Sequence, residues 1–206
     1  MRLITEILQA FGNFATTSKA YTLLLTMSTK VIESMQKLVE NCKDLPSDTV
    51  SHIIWVSRTV ANLKVSAPQV DSLIYLLEKL IVNIKTDLQL YDVLCTGNNL
   101  INANKEVPIA QLIGSNMDLV ARVVQTLGTS DPKLRIEALK LIGNMFGCDN
   151  ATTVMKHAIT CGYLQKVQEL LYYDNEHVLR MTLWGLSNFT AEIPFGESFL
   201  AENLAL

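Results

Sequence analysis

Two stretches of this chain align with each other without a gap, at an offset of 44 residues from Asn144 to Asn188. They are MDLVARVVQTLGTSDPKLRIEALKLIGNM, residues 117–145, and CGYLQKVQELLYYDNEHVLRMTLWGLSNF, residues 161–189. An internal repeat constrains the fold more than any single motif, because each repeat is one structural unit that buries its apolar face against its neighbours. The chain is therefore predicted to be a stack of similar units.

Five segments that end in Asn followed by an apolar residue extend this repeat along the chain. They end at Asn13, Asn62, Asn99, Asn144 and Asn188. The intervals are 49, 37, 45 and 44 residues. The last two lie inside the range of about 40 to 47 residues found in helical HEAT and armadillo repeats, and the first two lie just outside it. The sequence predicts a single armadillo-repeat domain, 1–206, made of repeats 18–64, 65–104, 105–148 and 149–190 with partial repeats at 1–17 and 191–206.

The segment 105–148 indicates how one unit is built. VPIAQLIGS predicts a short first helix that Gly114 ends, and MDLVARVVQTLG predicts a second helix that Gly128 closes. Ser130 or Asp131, followed by a proline, is the expected N-cap of a long third helix. Short, medium and long helices in this order are typical of an armadillo unit, so the predicted fold class is an all-α armadillo-repeat solenoid.

Composition and charge exclude several classes of partner. The chain has 17 Lys and Arg against 20 Asp and Glu, a formal net charge of −3, and no basic run interleaved with aromatics. No nucleic acid partner is therefore expected. No apolar run approaches the roughly 18 residues of a membrane span, so no membrane partner is expected either. At the start of the chain, Glu6 and Gln9 interrupt the apolar stretch, which favours an amphipathic helix over a signal peptide.

Histidine and cysteine positions argue against catalysis and metal binding. His52, His157 and His177 fall in different predicted helices, and no Ser or Cys stands in a nucleophile motif beside them. Cys148 and Cys161 lie near His157, but the spacings lack a fourth ligand and match no zinc pattern. The sequence therefore predicts no enzyme activity, no cofactor and no metal, and its cysteines are expected to be reduced thiols in the cytoplasm or nucleus.

Three segments carry a resemblance to a known family. TLWGLSNFTAE looks like the W-x-x-x-N third-helix motif of the importin-alpha family of armadillo-repeat nuclear import adaptors, and EALKLIGNM looks like its A-L-R-A-I-G-N variant. ILQAFGNFATTS is similar to its A-L-W-A-L-G-N-I-A segment. The resemblance covers nearly the whole chain. It implies a right-handed superhelix with a concave groove lined by third helices. It also implies that the protein is located in the cytoplasm and nucleus and that its partner is the nuclear localisation signal of a cargo protein.

The resemblance also implies which side chains would bind a peptide. In that family, Asn carboxamides hold the backbone of an extended basic peptide, since a carboxamide both donates and accepts. Trp indoles form slots for the stems and charges of Lys and Arg. Asp92 and Glu137, three residues before Trp-equivalent positions, are candidate groove acids. The peptide-binding residues implied by the resemblance are Asn13, Asn62, Asn99, Asn144, Trp184 and Asn188.

This sequence departs from the family at the Trp positions. Four residues before each Asn, only Trp184 is a tryptophan, and the other positions hold Gln9, Arg58, Cys95 and Lys140. One hypothesis is a peptide-binding solenoid for nuclear import, and the alternative is a divergent scaffold subunit of a larger assembly that has lost classical cargo binding. The Asn residues have a structural interpretation too, as hydrogen-bond donors or acceptors to a neighbouring turn. Trp55 lies off the motif register, three before Arg58, and is predicted to be in the core.

Overall fold

The computed structural model describes residues 2–17, 30–42, 44–104 and 108–191. Within these ranges the chain forms α-helices and turns, with no strand. The helices are α1 Arg2–Thr17, α2 Val31–Asn41, α3 Ser47–Ala61, α4 Ala67–Ile81, α5 Asp87–Ala103, α6 Ile109–Gly114, α7 Met117–Thr126, α8 Pro132–Phe146, α9 Thr152–Thr160, α10 Tyr163–Leu171 and α11 Glu176–Ala191. None of the described helices is both long enough and apolar enough to span a membrane.

Local capping chemistry explains where several helices begin. Asp131 is the N-cap of α8, and its carboxylate accepts a hydrogen bond from the backbone N–H of Lys133 at 2.8 Å. At the start of α5, Thr86 and Gln89 form a capping box, in which each side chain accepts from the other residue's backbone N–H. These side chains satisfy backbone N–H groups that have no partner in the first turn of a helix. The predicted start of α8, with Asp131 as the N-cap and Pro132 in the first turn, is confirmed.

The helices group into two compact units, Met1–Ile109 (unit 1) and Ala110–Leu206 (unit 2). In unit 1 the long helices α1, α3 and α5 pack side by side in chain order, while α2 packs on α4, and α4 packs on α3 and α5. In unit 2 the long helices α8 and α11 pack together, α7 supports α8, and α10 supports α11. That residues 1–206 form a single armadillo-repeat domain stays a prediction.

The repeat 105–148 has the predicted order of short, medium and long helices, whereas in 149–190 the first two helices are equal in length. In 105–148 the helices α6, α7 and α8 have 6, 10 and 15 residues, and in 149–190 the helices α9, α10 and α11 have 9, 9 and 16. The segment 65–104 differs, because it holds only α4 and α5, of 15 and 17 residues. The capping box of Ser66 and Gln69 starts α4 at once and leaves no room for a separate first helix. The first part of repeat 18–64 and nearly all of 191–206 lie outside the described residues.

Three aromatic side chains form the centre of unit 2. Phe146, Tyr163 and Phe189 come from α8, α10 and α11, and their ring centroids lie 5.0 to 5.8 Å apart. The Tyr163 hydroxyl is fully buried and has no hydrogen-bond partner among the described residues. Burial raises the pKa of Tyr163 well above its usual value. An unpaired buried hydroxyl lowers stability, because it loses its hydrogen bonds to water without replacement.

Replacing Tyr163 by Phe is expected to raise the free energy of unfolding by about 1 kcal/mol, since the ring stays and the unpaired hydroxyl is removed. Urea denaturation followed by far-UV circular dichroism measures this. Tyr75 is the control, because it is partly exposed and its hydroxyl is not among the buried unpaired groups of the described residues, so Tyr75→Phe should give no gain. A loss of stability in Tyr163→Phe would show that the hydroxyl has a partner, such as a buried water.

Candidate functional site

Trp184 and Asn188 of α11 contact the same residue of the neighbouring helix. A Cβ atom added to Gly143 of α8 would overlap the indole of Trp184, so the ring lies directly on the glycine. The carboxamide Nδ2 of Asn188 donates to the carbonyl oxygen of Gly143 at 2.9 Å. Trp184 remains 36% exposed. We call this surface of Gly143, Trp184 and Asn188 the Trp184 slot.

Trp55 makes the equivalent contact in unit 1. A Cβ atom added to Gly12 of α1 would overlap the indole of Trp55, just as one on Gly143 would overlap Trp184. Trp55 is only partly buried and lines a surface concavity. The prediction that Trp55 belongs to the core is therefore wrong. The residue four positions after it is Thr59, whose hydroxyl donates to the Trp55 carbonyl at 2.9 Å.

The structure also corrects the register of the Asn series in α3. Asn62 is not on the helix but is its C-cap, with φ −73° and ψ −5°, and it is exposed. Thr59, not Asn62, stands at the position that Asn188 has in α11. Asn13 of α1 follows Gly12 and is exposed, as the motif requires. The expected alignment of all five Asn residues on third helices is wrong at Asn62.

In α5 the Asn contact is kept, but the Trp is replaced. The Nδ2 of Asn99 donates to the carbonyl oxygen of Arg58 at 3.4 Å, which parallels the bond from Asn188 to Gly143. Arg58 in α3 thus stands at the glycine position. The Trp-equivalent residue of α5 is Cys95, which is buried. Each Trp therefore lies over a Gly of the preceding long helix. In α5, by contrast, the small Cys95 stands at the Trp position and the large Arg58 of α3 stands at the Gly position.

The side chain of Arg58 fills part of the space beside α5. Its Nη1 donates to Oδ1 of Asp92 at 2.5 Å, and its guanidinium carbon lies 5.3 Å from the centre of the Tyr91 ring. Burial alone would lower the pKa of Arg58, but the hydrogen bond and charge of Asp92 outweigh it, and the pKa is raised. Arg58 is therefore a cation at every accessible pH. The predicted groove acid Asp92 is largely buried and already paired.

A concavity of about 360 Å³ lies between α3 and α5. Its lining residues are Ser51, His52, Trp55, Arg58, Leu88, Gln89 and Asp92. The ring of His52 stands edge-on to Trp55, with centroids 6.3 Å apart, and its Nδ1 lies 2.6 Å from the Asp48 carbonyl, to which it donates. Leu88 is 69% exposed. We call this the Trp55 concavity.

The third-helix residues of α8 are partly exposed and also include an ion pair. The predicted groove acid Glu137 accepts from Lys140 Nζ at 2.8 Å, and both belong to the helical face that carries Asn144. Asn144 is half-buried. Glu137 and Asn144 thus belong to α8, the long helix that packs against α11 with its Trp184 and Asn188.

No group of three or more His, Cys, Asp or Glu side chains suited to a metal ion occurs in the described part of the chain. The Nε2 of His157 donates to the Met117 carbonyl at 3.0 Å, and the Sγ of Cys161 lies 3.5 Å from the same nitrogen. Because the carbonyl accepts the Nε2 proton, His157 serves as a link between α9 and the start of α7.

A second, more apolar groove of about 570 Å³ lies between α1 and α2. Ile7, Phe11, Met35 and Leu38 are among its lining residues. The chain between Thr17 and Lys30, which joins these two helices, is outside the described residues. It contains none of the candidate binding residues.

No model of a known protein family matches the sequence, and no curated protein is significantly similar to it. Among solved structures, a designed armadillo repeat protein in complex with the peptide (KR)4 is similar, with a TM-score of 0.74 and 18% identity over 95% of this chain and 79% of that chain. Computationally designed armadillo repeat proteins for modular peptide recognition give a TM-score of 0.76 and 17% identity over 97% and 81%. A further engineered protein gives 0.74 and 17% over 98% and 81%.

These similarities show the class of protein to which the fold belongs. The chain has the all-α armadillo-repeat fold, as its repeats predicted. At 17 to 18% identity the similarity concerns the fold, and the candidate binding residues depend on the contacts described above.

Proposed function

We propose that this protein binds an extended peptide along its long third helices and that its main contact is the Trp184 slot. The observation that carries the proposal is the exposed indole of Trp184, which lies directly on Gly143 beside the Asn188 carboxamide. Within the described residues, the bond to Gly143 uses one N–H of Asn188. The other N–H and the oxygen can pair with a peptide backbone.

The chemistry of this slot favours a peptide that carries Lys or Arg. An indole face accepts aliphatic stems and attracts the cations at their ends. Glu137 supplies a carboxylate on the adjacent long helix, although Lys140 shares it. The designed protein that is similar in fold and binds the peptide (KR)4 supports the same class of ligand.

The finer proposal is recognition of nuclear localisation signals by a non-catalytic import adaptor of the cytoplasm and nucleus. It is supported by the resemblance of TLWGLSNFTAE and EALKLIGNM to importin-alpha motifs. Trp55 stands at the Trp position of α3, so its contact with Gly12 is a second Trp–Gly contact that supports the resemblance.

A scaffold subunit that has lost classical cargo binding is the second candidate. The observation that favours it is the internal pairing of groups that a peptide would otherwise use. Asn99 and Asn188 donate to their own neighbouring helices, and Asp92 and Glu137 have cations of this chain beside them. Such contacts stabilise the repeat stack without a ligand.

Titrating the full chain with the peptide (KR)4 tests these two functions. One cation over an indole is worth roughly 0.5 to 2 kcal/mol, and each of the two hydrogen bonds open to Asn188 about 1 kcal/mol. A single slot therefore supplies at most about 4 kcal/mol, which corresponds to a Kd no tighter than about 1 mM. The two tryptophans give two indole N–H signals in a ¹H–¹⁵N spectrum, and Trp55→Phe assigns them. The Trp184 signal is expected to shift, and Trp184→Ala should weaken binding about tenfold.

An acidic peptide of equal length is the control and should shift neither indole signal. Absence of any shift with (KR)4, or unchanged affinity in Trp184→Ala, would favour the scaffold function.

A further inference from the structure

The Trp–Gly contacts define a rule that α5 breaks. Gly12 and Gly143 leave space that the indoles of Trp55 and Trp184 fill. At the corresponding place between α3 and α5, Arg58 of α3 stands at the glycine position and Cys95 of α5 stands at the Trp position. The side chain of Arg58 extends toward α5 and supplies there the volume that Cys95 lacks.

The surroundings of the Arg58 guanidinium are those that would hold a ligand cation. Asp92, whose side chain is only 11% exposed, accepts its Nη1 hydrogen bond. The Tyr91 ring lies at a cation–π distance of 5.3 Å. Trp55 and Leu88 complete an apolar wall of the same concavity. A carboxylate beside aromatic faces binds Lys or Arg side chains well.

We propose that Arg58 determines specificity in the Trp55 concavity, where its own guanidinium occupies the cation site formed by Asp92 and Tyr91 and so excludes basic side chains of a peptide. This inference rests on the proposed peptide-binding function. It leaves the Trp55 concavity of unit 1 to uncharged side chains, whereas the Trp184 slot of unit 2 accepts basic ones.

The charges that line the Trp55 concavity support the exclusion of basic side chains. Among the described residues, Asp92 is the only acidic one that lines the Trp55 concavity, and its charge is balanced by Arg58. A second cation would meet Arg58 at short range without a carboxylate of its own, and like charges at such distances repel. Removing Arg58 reverses this condition, because Asp92 then becomes a largely buried and unpaired carboxylate that a cation can stabilise.

Arg58→Ala is the variant that tests the proposal. Methylguanidinium, which reproduces the lost group, is expected at millimolar concentration to shift the Trp55 indole signal of this variant and to raise its Tm. The peptide (KR)4 should also shift the Trp55 signal and bind about tenfold more tightly than to the native chain. The native chain should respond at Trp184 only.

Three controls separate the cation site from other effects. Arg58→Ala with Asp92→Asn lacks the carboxylate and should respond to methylguanidinium no more than the native chain does. Arg58→Lys keeps a cation that can make the single hydrogen bond to Asp92, so it should remain closed to added cations. Tetramethylammonium at equal ionic strength, which cannot donate a hydrogen bond, should not raise the Tm.

The proposal is overturned if Arg58→Ala ignores methylguanidinium, or if the double variant responds equally. Should Arg58→Ala be unfolded alone, recovery of its helical circular dichroism by methylguanidinium supports the proposal, and no recovery overturns it. Failure of the peptide-binding function is a different result, seen as an unchanged Trp184 signal when the native chain is titrated with (KR)4.

Discussion

Replacing Arg135 by Met is expected to lower the free energy of unfolding of unit 2 by about 2 to 4 kcal/mol. Arg135 is only 6% exposed. Its Nε donates to the Leu127 carbonyl at 3.1 Å, and its Nη2 donates to the Thr129 carbonyl. Both carbonyls follow the end of α7, where a cation also interacts favourably with the helix dipole. The guanidinium lies 4.1 Å from the centre of the Tyr173 ring.

The magnitude follows from comparing these contacts with the cost of burying the cation. Each hydrogen bond to a charged group is worth about 1.5 to 3 kcal/mol and the cation–π contact roughly 0.5 to 2 kcal/mol. Met keeps the aliphatic volume, so the loss comes from the two carbonyls left without a donor. The relief of the buried charge offsets part of it. Nη1, which has no partner among the described residues, contributes to that offset.

Urea denaturation followed by far-UV circular dichroism measures the effect. The matched control is Arg180→Met, because Arg180 is exposed on α11 of the same unit. Its stability should change by less than about 0.5 kcal/mol. Equal changes in the two variants would show that the carbonyl contacts of Arg135 do not stabilise the α7–α8 connection.

Replacing Gly143 by Ala is expected to lower the free energy of unfolding by about 1 to 3 kcal/mol, although Ala is the better helix former. The helix propensity gain is about 1 kcal/mol. Against it, the new methyl group would overlap atoms of the Trp184 indole ring, which must move away from α8. The movement also disturbs the bond from Asn188 to the Gly143 carbonyl.

Two measurements detect this displacement. Circular dichroism in urea gives the stability, and the Trp184 indole signal, assigned with Trp55→Phe, reports the ring. Gly114→Ala is the control, because its Cβ would meet Val154 at an ordinary distance of 3.5 Å, so no loss is expected. Adding Trp184→Ala to Gly143→Ala should remove most of the clash, since residues in contact are coupled energetically. A stabilised Gly143→Ala would contradict the packing of the indole on this glycine.

Several elements could be predicted from the sequence because their causes are local. The proline after Asp131 and the carboxylate of Asp131 define the start of α8 within a few residues of sequence. Gly114 is the last residue of α6, as its position after an apolar stretch predicts. The 44-residue offset between Asn144 and Asn188 identified the repeat, because both residues sit near the end of a long helix.

The motif position in α3 could not be found by the same means. Asn62 followed by Leu63 fits the Asn-apolar pattern, and it led to Arg58 at the Trp position. In the structure, Asn62 caps the helix and Trp55 lies on Gly12. A signal was present, since Gly12 and Gly143 both precede the Asn of their own helix. It could be used only by pairing each glycine with a tryptophan one repeat later.

The sequence by itself determined the helices, their caps and the repeat, since these depend on residues a few positions apart and on a period that the chain repeats. Only the tertiary structure decided which side chains face the neighbouring long helix and which groups are already paired. Asn188 donates to a carbonyl 45 residues away and Arg58 pairs with a carboxylate 34 residues away. Contacts of this kind depend on the rotation of one helix against the next, which is set by the packing of whole faces. Gly12 admits the indole of Trp55, whereas Arg58 fills the corresponding space with its own cation.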